Sequence, residues 1–436
     1  MRARNARGRI RVVSAVVATL LAGSMLAACG DDDGGSGSSD GKVTLNVGLF
    51  GTFGFQEAGL FDEYQALNPN IKIVQNDTEK EEDYWRALQT RLAGGSGMHD
   101  IQGIEVGRIA DVVANQSDKW VDLNSLGLSA GNAEYLPWKS KAATTADGKV
   151  LGAGTDTGPM AICYRPDLFA AAGLPTNRDE LAQKWSTWEG YIEVGKQFAA
   201  ASPNKKTKFL DSVAGMYNAM IGQQATSYYD EAGKPIYDTN PAVKQAWDLA
   251  TSAADAKLSA SLQQFQSDWN QAFAADGFAS ISCPSWMIGY IKTQAGDGGK
   301  GKWDVAQAPG GTGNWGGSYL AIPKGGKHQK EAAALITWLT APEQQVKMFQ
   351  KQGNFPSKTG AIQSVKTTTD PYFDNAPIGQ IFSSAAEKMP VQIIGTRHAD
   401  IKDNMNTALS SVEAQGVKPD DAWKQARDAV KNAIAS

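Results

Sequence analysis

Val43-Thr44-Leu45-Asn46-Val47-Gly48-Leu49-Phe50 is a β-rich run, and the pattern immediately C-terminal to it decides the fold class. Leu60, Phe61, Tyr64 and Leu67 recur at helical spacing within Glu57–Leu67, and Asn68-Pro69 ends that segment. Ile71–Val74 reads as a second strand. Glu81–Ala93 puts Trp85, Leu88 and Leu92 on one helical face and stops at Gly94-Gly95. Asp100–Glu105 reads as a third strand, with a helix expected over Gly107–Asn115. Strand and helix alternating through short loops, as far as Asp122, predict a mostly parallel sheet covered by helices.

Outward from this stretch, the middle of the chain from Tyr164 to Ala279 is dominated by helical patterns. Trp188–Ala200, Pro241–Ala254 and Ser261–Ala274 are expected helices, as are Lys330–Leu339, Pro342–Gln352 and a tail from Ile401 to Ala435. The α/β alternation restarts after Asp156–Tyr164, which suggests two α/β lobes. With 436 residues, 42% hydrophobic and 20% charged, the chain has enough apolar side chain for more than one core.

The N-terminus sets the compartment. Arg2, Arg4, Arg7, Arg9 and Arg11 precede an apolar run from Val12 to Ala22, too short for a comfortable permanent anchor. Residues 1–28 therefore read as a signal peptide. Leu26-Ala27-Ala28-Cys29 resembles the bacterial lipobox, which implies cleavage before Cys29 and lipid on its sulfur. Residues 30–41 carry only Gly, Asp and Ser and form a flexible tether. Loss of the five arginines takes the net charge from −4 to about −9. That argues against nucleic acid as a partner. Outside the cytoplasm thiols oxidise. The two remaining cysteines, Cys163 in Met160–Tyr164 and Cys283 in Ala279–Cys283, both lie in strand-like runs, and a disulfide between them is expected.

Searches for catalytic and cofactor motifs return decoys. Gly311-Thr312-Gly313-Asn314-Trp315-Gly316 fits a dinucleotide fingerprint but precedes a strand instead of following one. Gly37-Ser38-Ser39-Asp40-Gly41 fits a nucleophile elbow but lies in the tether. Three cysteines and three histidines (His99, His328, His398), with no HExxH or CxxC spacing, give no reason to expect a metal or cofactor.

The informative residues sit where strands are expected to end. They are Phe53 and Phe55, Glu105 and Arg108, Asp156, Trp286, and Trp315 with Gly317. Ligands of open α/β sheets bind beyond the carboxyl ends of strands. Aromatic faces can cover the C–H face of a sugar ring, while carboxylates and guanidinium groups satisfy its hydroxyls. Each residue also has a structural alternative. The tryptophans and phenylalanines could be core, Asp156 a turn residue, and Glu105 with Arg108 an ion pair; Tyr217 stands evenly between the two readings.

Taken in order, several stretches resemble the extracellular solute-binding lipoproteins of bacterial ABC sugar importers, the family that includes maltose-binding protein. They are the lipobox and tether, Gly51–Phe55, Tyr64–Ile73, Leu92–Ile101, Gly152–Tyr164, Phe278–Trp286, Gly316–Pro323, Ala332–Gln345 and Gly353–Pro356. The resemblance implies an α/β, two-lobe periplasmic-binding-protein fold of type II. One lobe would be 43–155 plus 318–365 and the other 160–310 plus 370–436, with a ligand cleft between them. It implies a non-catalytic monomer, anchored through Cys29 on the outer face of the membrane. It would take an oligosaccharide, closest to cello-oligosaccharide binders, and pass it to permease subunits. The ligand-lining set would be Phe53, Phe55, Glu105, Arg108, Asp156, Tyr217, Trp286, Trp315 and Gly317. An extracellular glycoside hydrolase and a surface lipoprotein without a transport role are the competing functions.

Overall fold

The structure, a computed structural model, describes residues 41–128 and 134–435. The expected signal peptide, Cys29 and the expected tether through Asp40 lie outside the described residues. Among the described residues no helix is long and apolar enough to cross a membrane.

The described strands are, in chain order, β1 (Val43–Phe50), β2 (Ile71–Thr78), β3 (Ile101–Glu105), β4 (Ala153–Gly154), β5 (Asp156–Thr157), β6 (Met160–Tyr164), β7 (Lys208–Leu210), β8 (Phe278–Pro284), β9 (Asp304–Gln307), β10 (Ser318–Ala321) and β11 (Phe355–Pro356). They form two principal sheets. The first has the order β2-β1-β3-β10-β4 and the second β7-β8-β6-β9, while β5 and β11 pair as a short antiparallel ladder. In the first sheet β1 runs parallel to β2 and β3, and β10 enters antiparallel between β3 and β4. The parallel β1–β2–β3 core follows from the helices that cross back between these strands, Leu60–Leu67 and Glu81–Gly94.

Both sheets are covered on both faces. In β6 alternate side chains go to opposite sides: Met160, Ile162 and Tyr164 into one core, Ala161 and Cys163 into the other. In β8 the same-face pair Ile281 and Cys283 goes to the second side. Cys163 and Cys283, on these adjacent antiparallel strands, are disulfide-bonded with their Cα atoms 5.4 Å apart. Phe349, Phe355, Ile362 and Val365 pack into the same core as the disulfide, under the second sheet, whereas Met348 packs under the first.

Two expected helices differ. Ser261–Ala274 is helical only over Ser267–Ala272, because Ser261 and Phe265 hold left-handed backbone angles (φ 56° and 63°) that a helix cannot contain. The tail from Ile401 is two helices, His398–Gln415 and Pro419–Ala435, interrupted by left-handed Gly416 (φ 70°) and reopened by Pro419 at its first turn.

Candidate ligand-binding cleft

The carboxyl ends of β1, β2 and β3 and the loop entering β10 line one side of a cavity. Side chains belonging to the second sheet's cores and to the C-terminal helices line the other. Its volume is about 130 Å³. From β1 come Phe50 and Phe53, whose rings meet edge to face 5.1 Å apart. After β2 come Glu79, Glu81 and Glu82, the last two opening the helix Glu81–Gly94, whose N-terminal dipole favours carboxylates. β3 ends at Glu105, which accepts the Gly107 N–H at 2.5 Å. Opposite stand Phe265, Trp286, Tyr290 and Lys402.

The approach to β10 explains why two glycines lie together. Gly316 and Gly317 have φ of 91° and 97°. A Cβ on Gly316 would fall 2.8 Å from Trp286 Nε1, and one on Gly317 would fall 2.7 Å from the Asp156 carbonyl oxygen. Their bareness lets Trp286 donate from Nε1 to the Trp315 carbonyl at 2.8 Å, with the two indoles perpendicular (88°) and 6.1 Å apart. One ring therefore presents a face where the other presents an edge. Together they form a corner able to hold a flat apolar surface.

Asp156 is the best-held carboxylate in the cavity wall. Its Oδ1 accepts from the Thr155 hydroxyl at 2.7 Å and from the Ser318 N–H at 2.9 Å, and Asn354 approaches Oδ2 at 3.4 Å. Burial still pushes its carboxyl above the ordinary range, against the pull of Lys139 and these donors. Lys139 lies behind the wall, fully buried, with Nζ 3.9 Å above the Tyr319 ring. Burial lowers its ammonium to about 8, opposed by Asp156 and Glu105. For Lys402 the balance reverses. Burial opposes its charge, but Glu105, Asp403, Glu81 and Glu82 outweigh burial and raise it. The cavity thus offers aromatic faces, ionised acceptors and one cation, a set suited to gripping hydroxyls and C–H faces.

The family model described as bacterial extracellular solute-binding protein matches residues 59–375. The chain belongs to this family. The solute-binding protein is 23% identical over 382 residues to a lactose-binding protein of Rhizobium radiobacter, covering 84% of this chain and 87% of that one. Among solved structures, it is 42% identical to an extracellular solute-binding protein of family 1, with a TM-score of 0.74 over 90% of this chain and 99% of the other. The ABC transporter-associated binding protein of B. animalis subsp. lactis, solved with β-1,6-galactobiose, shares the fold at 19% identity. Its TM-score is 0.77, over 90% of this chain and 97% of that one. The two-lobe periplasmic sugar-binding architecture is therefore the fold of this chain, and family membership makes it a binding protein instead of a catalyst.

Of the residues singled out from sequence, the solute-binding protein brings Phe53, Glu105, Asp156, Trp286, Trp315 and Gly317 to one cavity. Three do not line it. Phe55 is 2% exposed and packs on Phe53 and Phe61 inside the first sheet's core. Tyr217 is wholly buried. It accepts a hydrogen bond from the Tyr228 hydroxyl at 3.2 Å and sits edge-on to Trp247, because its helical position faces the second core. Arg108 is committed elsewhere. It donates to both oxygens of Glu81 at 3.2 Å, to Asp400 at 2.6 Å and to Asp403 at 2.9 Å, with its guanidinium 5.4 Å from the Trp85 ring centre. Glu81 follows β2 and the two aspartates ride on His398–Gln415, so Arg108 ties the two sides of the cleft together. His398 is buried too, and burial lowers its ring to about 3, leaving it neutral.

Sequence reasoning missed Phe50, Glu79, Glu81, Glu82, Phe265, Tyr290, Asn354 and Lys402. The rule that pointed to the ends of β1 and β3 also applied to β2, and Glu79-Lys80-Glu81-Glu82-Asp83 was a visible signal there. Phe265, Tyr290 and Lys402 had none, since each is placed by a distant element.

Proposed function

We propose that this protein captures an oligosaccharide at the outer face of the cell membrane and delivers it to an ABC permease, with a cello-oligosaccharide as the favoured ligand. The observation that carries the reading is that the Trp286–Trp315 corner shares one cavity with Glu105 and Asp156. Rings and carboxylates in one cavity satisfy the two kinds of surface a sugar presents. In this reading a first lobe of 43–155 plus 318–365 closes on a second lobe of 160–310 plus 370–436. Cys29 carries the lipid anchor. Closure is driven by the ligand's greater affinity for the closed arrangement.

The test is isothermal calorimetry of the soluble domain against cellobiose, cellotriose, maltotriose, lactose and β-1,6-galactobiose. Each sugar is then recovered and chromatographed after long incubation. Micromolar binding of one of them, recovered intact, is the expected result. Hydrolysis of the bound sugar would reject the receptor reading, and absence of any binding or thermal shift across the panel would reject the sugar.

A further inference from the structure

A second hollow of about 360 Å³ opens beside the cleft and shares Glu82, Phe265, Trp315 and Lys402 with it. On its far wall is Asn218, in the helix Val213–Gly222, where all ten residues are buried. Asn218 is 7% exposed, and its Oδ1 has no hydrogen-bond partner among the described residues. Asn406, on His398–Gln415, lines the same hollow, and its Oδ1 is also unpartnered. A buried amide oxygen without a partner is costly, so two of them facing one space imply an occupant that donates hydrogen bonds.

The walls narrow the choice of occupant. Lys80, Arg86 and Lys402 lie around the hollow together with Glu82, Asp83 and Asp403, so the charges of its wall balance and neither a metal ion nor an anion is favoured over a neutral occupant. Aromatic surface comes only from Phe265 and Trp315, on the side shared with the first cavity. Past those rings the wall is mainly polar, with Ser212, Asn218, Gln263, Gln264, Asn406 and Ser410 able to hydrogen-bond an occupant. A sugar unit continuing from one stacked at the Trp286–Trp315 corner meets each requirement: it is neutral, rich in hydroxyl donors, and covalently joined to what the first cavity holds.

We infer that this hollow is a further subsite of the cleft and that the ligand is a neutral oligosaccharide of at least three units, its terminal hydroxyls donating to Asn218 and Asn406. This rests on the oligosaccharide reading above. Tyr217 and Asn218 are neighbours on one helix, and about 100° of rotation separates a core tyrosine from a ligand-facing amide.

The experiment titrates the wild type, Asn218→Ala and Asn406→Ala with the dimer, trimer and tetramer of the cello-, malto- and β-1,6-galacto-oligosaccharide series. In the series that binds, the wild type should hold the trimer about tenfold more tightly than the dimer. Each variant should lose about fivefold on the trimer and stay within twofold on the dimer. Equal affinity for dimer and trimer in the wild type overturns the subsite but leaves the sugar receptor standing. So does a variant that weakens both lengths equally. If no member of any series binds, the oligosaccharide reading falls and the subsite with it. Asn406 is only partly buried, though its Oδ1 is buried, so Asn406→Ala carries the test even if Asn218→Ala fails to fold.

Discussion

Asp156 opens the short strand β5 and Arg108 follows β3; each is charged, and each is almost fully buried, yet they are put to opposite uses. Asp156 takes its local donors from backbone and neutral side chains, and its charge still faces the cavity. Arg108 commits Nε and both terminal nitrogens to three carboxylates and does not line the cavity. Position at a strand end is thus insufficient. What matters is whether nearby partners consume the group's valence or only hold it in place.

The largest effect should come from dismantling the Arg108 cluster. Arg108→Ala leaves Asp400, Asp403 and Glu81 without their cation, and should lower unfolding stability by about 3 kcal/mol in urea denaturation. The gap between wild type and variant should narrow in high salt, which screens the stranded carboxylates. A change below about 0.5 kcal/mol would mean that the cluster is no more than a surface ion pair.

Next is the aromatic corner. Trp286→Ala should weaken sugar binding about thirtyfold in calorimetry, through loss of the stacking face and of the Trp315 carbonyl's donor, while the sugar-free fold shifts by less than Arg108→Ala does. An affinity within threefold of wild type would place the sugar elsewhere.

The smallest and most discriminating effect concerns Asp156 and pH. Burial raises its carboxyl, so folding binds its proton more tightly than the unfolded chain does. The contribution to stability is then greatest below the unfolded carboxylate pKa and declines as pH rises through the folded value. Ligand binding has the other sign, because ionised Asp156 is the hydroxyl acceptor and affinity should fall severalfold as pH drops through that value. Asp156→Asn should weaken binding severalfold at neutral pH and flatten this dependence. A pH profile unchanged by the substitution would remove Asp156 from the ligand contacts.

How far these roles were legible in sequence depends on the range of the interactions. β1 and the helix Pro342–Gln352 were readable to the residue because period and terminating residues are local. Ser261–Ala274 was misread because its apolar spacing is helical, while Phe265 is drawn onto Trp269 and Trp286 and its backbone adjusts to suit. Tyr217 was singled out and its neighbour Asn218 was not, because an aromatic ring is the more conspicuous sugar-binding residue. Only the helix's phase against Trp247 tells them apart. Arg108's partners Asp400 and Asp403 lie nearly three hundred residues downstream, and no local pattern announces such a contact.

The antiparallel insertion of β10 between β3 and β4 also bears on how the polypeptide is made. A nascent chain that has emerged only as far as Gly317 already holds β1, β2 and β3, yet lacks the strand that joins them to β4. The first half cannot finish its own hydrogen-bonded ladder until the whole of the second sheet has been synthesised. Such late closure, through contacts distant along the chain, slows folding and prolongs the time spent as an open thread.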